Sequence, residues 1–434
     1  MSIPVLTAVT DRRVEATLVQ AFESADHGIS VVRRCADLAD LLATASTGTV
    51  RAVVISHDLR RLDRDALSRF SALGVAVIVL VPIEDEDAER RVRQLGITEL
   101  LGLDAAPADV AALVTAVVAV ESGVGRAGGI SDLSAALPSF DDADGTFDDE
   151  GAEDEDRRGL VIAVWGPTGA PGRTTIAATI AAEFAAAGES AMLIDADVYG
   201  GAVAQALGLL DEAPGLAAAA RSANNGSLDV PALSDLARQV SPNLRVLTGI
   251  ARAERWTELR PAAIENVLSL ARRLVKHTVV DCGFCLEQDE ELSFDTLAPR
   301  RNGATIATLA DADLVIAVGA ADPVSLQRLV RGLSQLNDMV PGVTPAVIVN
   351  KVRKTLLAGD PEREIAAALE RYAGVVPAAF VPFDLKGVDA ALMAGRTLTE
   401  AAGDSPARVA ILRYAQQLMG RPQVATKRRL ALRR

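Results

Sequence analysis

The sequence predicts an α/β protein built from two parallel-sheet domains, and three observations carry that expectation. Short runs rich in Val, Ile, Leu and Ala alternate with segments whose apolar residues recur at helical spacing, first over residues 1–122 and again from residue 159 to about Gly420. Residues 123–158 between them are rich in Gly, Ser and Asp and carry almost no periodicity. Of the 434 residues, 50% are hydrophobic but only 3% aromatic. Small apolar side chains of this kind let helices lie close on a parallel sheet.

In the first domain the strand-like runs are Val5–Val9, Ile29–Arg33, Ala52–Ser56, Ala76–Val81 and Leu100–Leu103. The helical periods are Arg13–Ser24, Leu38–Ala45, Asp63–Leu73, Asp87–Leu95 and Pro107–Val120. Pro107 suits the first position of a helix, where its missing N–H costs nothing. The order is (βα)5, which predicts a parallel sheet with helices on both faces. In the second domain Leu160–Val164, Ala191–Asp195, Leu244–Leu247, Thr278–Asp281, Leu314–Val318 and Val343–Asn350 read as buried strands. Two motifs, Asn350-Lys351 and Val381-Pro382-Phe383-Asp384, are expected just past strands.

Charge and cysteine content narrow the setting. The net charge is −14, but ten of those negative charges lie between Asp141 and Asp156, where there is no base, which leaves −4 for the rest. Like charges at that density oppose a core, so 123–158 reads as a flexible acidic linker. The near-balance elsewhere gives no broad nucleic-acid surface. Three cysteines point to a reducing compartment. No apolar run reaches the ~18 residues that span a bilayer, and the N-terminus shows no signal-peptide pattern; the expected location is the cytoplasm. A basic tail, residues 421–434, closes the chain. It reads as a solvated terminus, with contact to anionic lipid or DNA as alternatives.

The segment Gly166-Pro167-Thr168-Gly169-Ala170-Pro171-Gly172-Arg173-Thr174 follows a strand and precedes an Ala-rich helix. Small residues let backbone N–H groups curl around phosphate oxygens, and a helix N-terminus behind them favours anions. The segment departs from G-x-x-x-x-G-K-[ST]. Arg173 replaces the lysine, and there is no lysine before Lys276, so no nearby ammonium can stand in. Asp195, Asp197 and Asp281 follow at strand ends, where ligands bind in open parallel sheets. A Mg²⁺ held by the Thr174 hydroxyl needs a carboxylate to orient its waters, and Asp281 is the candidate.

These motifs together, Gly172-Arg173-Thr174-Thr175, Asp195-Ala196-Asp197, Asp281-Cys282-Gly283, Asn350-Lys351 and Pro382-Phe383-Asp384, resemble those of the deviant-Walker P-loop ATPases, the MinD/ParA superfamily. The resemblance covers residues 159–420 and is greatest to the CpaE/TadZ-type pilus-assembly branch. It implies ATP and Mg²⁺ as ligands, with Gly169, Ala170, Gly172, Arg173, Thr174 and Thr175 around the phosphates. It further implies Thr174 and Asp281 at the metal, Asp195 or Asp197 ordering the metal shell and attacking water, and Asn350 and Pro382 at the adenine. The family's function would be spatial: a slow ATPase closing as a nucleotide-dependent homodimer and serving pilus, secretion or septum machinery, with peripheral membrane contact. A non-hydrolysing scaffold and a ParA-like DNA-partitioning ATPase are the alternatives.

Two departures bear on turnover. The family's signature lysine aligns with Thr168, and a guanidinium at Arg173 forks onto phosphate oxygens where a point charge is usual. Slow hydrolysis is the expectation. Cys282-x-x-Cys285 reads as packing, the three histidines as isolated, and the charged segment from Glu287 to Asn302 as a solvated loop, with a switch-loop contact of Arg300 or Arg301 to phosphate as the alternative. The first domain resembles a response-regulator receiver. Its acceptor position falls at Ser56, with Asp58 two residues late, Asp11 retained and Leu103-Asp104 where a lysine is needed, which implies a pseudo-receiver used for docking.

Overall fold

A computed structural model describes residues 2–24, 27–83, 85–121, 158–169, 171–209, 214–287, 299–353 and 359–420. Most of the acidic linker, Ala170 and the basic tail lie outside the described residues. Two compact units divide the chain, Met1–Arg157 with Arg221–Asp229, and Arg158–Ala220 with Val230–Arg434.

The first unit alternates β1 (Ile3–Ala8), α1 (Arg12–Ser24), β2 (Ile29–Arg34), α2 (Leu38–Ala45), β3 (Ala52–Ser56), α3 (Arg64–Ala72), β4 (Ala76–Val81), α4 (Glu86–Gln94), β5 (Leu100–Gly102) and α5 (Pro107–Glu121). The strands run parallel in the order β2-β1-β3-β4-β5. Strand side chains alternate faces, and this splits the core in two. Val53 and Ile55 pack with Leu41, Phe70 and Val92 on one side, and Ala52 and Val54 with Leu18, Phe22 and Val114 on the other. Both faces are therefore covered, which is why the strands read as continuous apolar runs. Asp37, Asp63 and Asp85 cap α2, α3 and α4 by accepting backbone N–H groups.

The second unit holds β6 (Leu160–Trp165), β7 (Ala191–Ala196), β8 (Arg238–Ser241), β9 (Leu244–Leu247), β10 (His277–Cys282), β11 (Leu314–Ala320), β12 (Ala346–Val352) and β13 (Ala379–Pro382). Among the described residues they form one sheet of order β13-β12-β11-β6-β10-β7-β9-β8, parallel throughout except for β8 against β9. The short strand β8 has no counterpart in the sequence reading. Three of its four residues, Arg238, Gln239 and Ser241, are polar, so it lacks the apolar run that marks the others. The helix α6 (Arg173–Ala186) joins β6 to β7 across β10, which lies between them. Its small residues are buried nearly all round, with Ile176, Ile180 and Phe184 fully enclosed. Glu183 on the same helix is buried but satisfied: Arg408 donates to both carboxylate oxygens (2.6 and 3.0 Å) and Thr399 to one (2.8 Å).

Two expectations are corrected: Asn350 and Lys351 lie inside β12 and not past its end, and Val381 and Pro382 likewise lie inside β13. The register between β12 and β13 shifts between Val349 and Val352, and Lys351 takes a left-handed φ of 58°. The strand thus runs on through a bulge, a feature that re-aims side chains. Phe383 continues the edge, its N–H donating to the Val352 carbonyl (2.9 Å).

Candidate functional site

The carboxyl ends of β6, β7, β10, β12 and β13 carry the described residues expected at the nucleotide and the metal. From Trp165 the chain turns through Gly166–Gly169 and Pro171–Gly172 into α6. Gly169 (φ 111°) and Gly172 (φ 99°) adopt left-handed backbone, which glycine alone takes without strain. A side chain at Gly172 would run into the Asn350 amide, and one at Gly166 into the Val318 carbonyl. The loop is therefore a bare backbone cradle. Helical bonding begins with the Ile176 N–H donating to the Gly172 carbonyl (3.0 Å), so the N–H groups of Arg173, Thr174 and Thr175 stand ahead of the ladder, at the positive end of the helix.

Arg173 folds back over the cradle. One guanidinium nitrogen donates to the Gly166 carbonyl (3.0 Å) and the Pro167 carbonyl (3.4 Å), and the other to Asp197 Oδ2 (3.3 Å). Asp197 Oδ1 accepts the N–H groups of Tyr199 (2.9 Å) and Gly200 (3.3 Å). Asp195 is held by backbone, its oxygens accepting the N–H groups of Asp197 (3.2 Å) and Val203 (3.1 Å).

Thr174 Oγ1 donates to Asp281 Oδ2 at 2.5 Å. The other oxygen, Oδ1, is buried with no partner among the described residues. Asp281 and Asp195 are register neighbours on β10 and β7, so two carboxyls share one dry corner. Burial pushes Asp281 up to about 8, with Asp195 adding to it and Thr174 and Arg173 opposing. Burial likewise lifts Asp195 to about 6 against its backbone donors. A bare carboxylate oxygen, a hydroxyl and converging acids are the hard oxygen set that a divalent cation neutralises, so these residues fit Mg²⁺.

Beside the cradle opens a cavity of about 460 Å³, lined by Gly172–Ile176, Asp197, Gly200, Asn350, Lys351, Val381–Leu385, Val388, Ala407 and Ile411. Asp197 lines it and Asp195 does not. Pro382 lies on its apolar wall. Asn350 is committed locally, its amide donating to the Pro171 carbonyl (2.8 Å) and its oxygen accepting the Lys351 N–H (2.8 Å). It holds the loop in place more than it projects into the space. Lys351 corrects the reading that no ammonium stands near: the topology brings β12 beside the loop, although 178 positions separate Lys351 from Arg173. Ala407 and Ile411 come from the helix Pro406–Leu418 and bear no local signal of a site.

The segment after β10 turns toward the acids. Arg301 lies over the Tyr199 ring (4.0 Å to its centroid), and the Tyr199 hydroxyl donates to Asn302 Oδ1 (2.8 Å). Asn302 in turn donates to Cys285 Sγ (3.3 Å) and to the Glu287 carbonyl (2.6 Å). Burial raises the Cys282 thiol well above its usual range, consistent with packing. His277 lies at the opposite end of β10, buried and stacked on Phe184 (4.2 Å between ring centroids). No helix of the described residues is long and apolar enough to cross a membrane.

In the first unit the corresponding strand ends bring Thr10, Asp11, Ser56 and Asp58 together. Ser56 Oγ accepts the Thr10 N–H (2.9 Å), and the Thr10 hydroxyl donates to Asp58 (2.7 Å). Asp11 accepts the N–H groups of Arg13 (2.8 Å) and Val14 (3.3 Å) at the start of α1.

No protein-family model matches the chain, and no curated protein matches it. Solved structures do. The chain is similar to a ParA family ATPase from Chlorobium tepidum TLS, with 18% identity over 60% of this chain and 98% of that one, at a TM-score of 0.51. It is also similar to the septum site-determining protein MinD complexed with Mg-ADP from Pyrococcus horikoshii OT3 (16% identity, 60% and 95% covered, TM-score 0.47). A third is the cell division ATPase MinD from Pyrococcus furiosus (16%, 60% and 99%, TM-score 0.46). At such identities the likeness is one of fold. The mostly parallel sheet of the second unit, with its glycine cradle after the central strand β6, thus has the fold of that ParA family ATPase.

Proposed function

We propose that the chain binds ATP with Mg²⁺, hydrolyses it slowly, and acts as a positioning protein of the MinD/ParA type, in the CpaE-like branch that serves pilus or secretion assembly. The observation that carries the nucleotide reading is the Thr174–Asp281 pair with its unpartnered carboxylate oxygen, set against a cradle in which Gly166 and Gly172 have no room for a side chain. Thr174 and Asp281 would hold the cation, which when bound neutralises charge on phosphate oxygens. The N–H groups at the start of α6 receive phosphate, and Arg173 adds a forked donor. The apolar wall of Val381, Pro382, Phe383 and Ile411 suits a planar base. Asp197 is the acid placed to orient water beside Arg173.

In this reading the chain works as a nucleotide-dependent homodimer with a protein partner, and the first unit is a pseudo-receiver used for docking. A nucleotide-binding scaffold without turnover is the second reading, and one contact favours it. Arg173 is tied to Asp197, the carboxylate that turnover needs for water. Calorimetry of the full chain with ATP at millimolar Mg²⁺ tests the binding; absence of heat at any nucleotide concentration sinks it. Phosphate release compared with Arg173→Ala separates the two readings, and brisk wild-type turnover excludes the scaffold.

A further inference from the structure

The helix Pro323–Met339 follows β11, packing its Gly332 on β6 and the start of the cradle and its Leu329 on Gly319 of β11. At Gly332 a Cβ would come within 3.0 Å of the Trp165 ring and 3.4 Å of Pro167, and at Gly319 one would lie 2.5 Å from Leu329 Cδ2. These close approaches fix the helix against β6 and the start of the loop, since neither spacing tolerates a larger residue. One turn before Gly332 on the same face is Arg328. A Cβ built on Gly169 would lie 2.5 Å from Arg328 Nη1, with Cζ and Cδ of the same side chain following at 3.7 and 3.9 Å. The guanidinium tip, Nη1, therefore stands where a side chain on Gly169 (φ 111°) would be.

Three features say what this cation faces. Thr168, Gly169 and Arg328 are all exposed, so the guanidinium is open to a ligand. Arg328 makes no hydrogen bond or ion pair among the described residues. Pro167 and Pro171 remove two N–H donors from the loop, a loss that a guanidinium with five N–H groups can offset. Direction follows from the cavity. Its apolar wall, at Val381–Val388 and Ile411, adjoins Gly172–Ile176. A nucleotide with its base on that wall runs its phosphates past Thr175 and Gly172 toward Gly169, so the group at Gly169 meets the phosphate farthest from the base.

We propose that Arg328 is a phosphate-contacting residue that reads the terminal phosphate of a nucleoside triphosphate in the cradle, and so distinguishes triphosphate from diphosphate. This rests on the nucleotide reading above. The test is calorimetric titration of the full chain with Mg²⁺-ATP and, separately, Mg²⁺-ADP, for the wild type, Arg328→Gln and Arg328→Lys, each checked for an unchanged melting temperature. Arg328→Gln should weaken ATP by about 10- to 100-fold, as loss of a charge-assisted hydrogen bond implies, and leave ADP within about threefold. Arg328→Lys should recover part of the loss, since it keeps the charge without the fork. Wild-type binding of both nucleotides with Arg328→Gln unchanged, or weakened equally for both, overturns this proposal alone. A wild type that binds neither overturns the nucleotide reading and this one with it.

Discussion

Thr174 donates its hydroxyl proton to one oxygen of Asp281 at 2.5 Å while the other oxygen of that carboxyl is buried without a partner among the described residues. A lone buried carboxylate oxygen costs free energy that only a proton or a cation removes. The pair is thus poised between two occupants.

Asp281→Asn removes the charge and keeps the shape. The variant should be at least as stable as the wild type without nucleotide, and should lose about 10- to 100-fold in Mg²⁺-nucleotide affinity, the range seen when groups around a metal are altered. Thr174→Val should lose affinity similarly. Thermal melting and titration with and without EDTA check both halves.

The acids also set a pH response. The folded-state values of Asp195 and Asp281 are raised, to about 6 and about 8, so their stabilising contribution is present at pH 4 and is lost as pH rises through those values. In the nucleotide-free chain, urea midpoints of wild type and Asp281→Asn should be close at about pH 4. They should separate in favour of the variant toward pH 9. Parallel curves across that range would remove the assignment of a protonated Asp281.

Gly172→Ala tests the cradle. The left-handed backbone (φ 99°) strains any residue with a side chain, and the new methyl meets the Asn350 amide. A loss of about 1–3 kcal/mol in stability is expected, with ATP affinity falling in parallel, measured by denaturation and calorimetry on the same sample.

Glu183 and Arg408 tie α6 to the helix Pro406–Leu418. The Glu183 side chain is 1% exposed and that of Arg408 21%. Arg408→Ala should cost about 3–5 kcal/mol, because it strands a buried carboxylate. The double change Glu183→Leu with Arg408→Leu should return most of that, as read from urea unfolding.

Acetyl phosphate should leave Asp58 unlabelled. Its carboxylate accepts the Thr10 hydroxyl, and Asp11 is spent on the first turn of α1, so the acidic metal pocket that phosphotransfer needs is not assembled. Intact-mass measurement of the treated protein checks this, and stoichiometric phosphate on Asp58 would refute the pseudo-receiver reading.

Much of this was legible from periodicity. The (βα)5 order, the strands Ala52–Ser56, Ala76–Val81 and Leu244–Leu247, and the strand–loop–helix around Gly172 all follow from apolar runs bounded by glycine, proline and helix caps. Asp281 and Thr174 were identifiable as partners because strand ends converge in an open parallel sheet. Lys351 was misjudged by its distance along the chain, and Asn350 by a bulge that local sequence does not announce.

What the chain order alone determined is therefore the alternation of strands and helices, the glycines at positive φ and the identity of the acids, since each depends on neighbours within a few residues. The packing decided the rest. Only the crossing of α6 over β10 sets Asp281 against Thr174, and only the close seat of the helix Pro323–Met339, its Gly332 on Trp165 and its Leu329 on Gly319, carries Arg328 to Gly169. Contacts between residues more than a hundred positions apart are fixed by which surfaces exclude water together, and no local pattern encodes that.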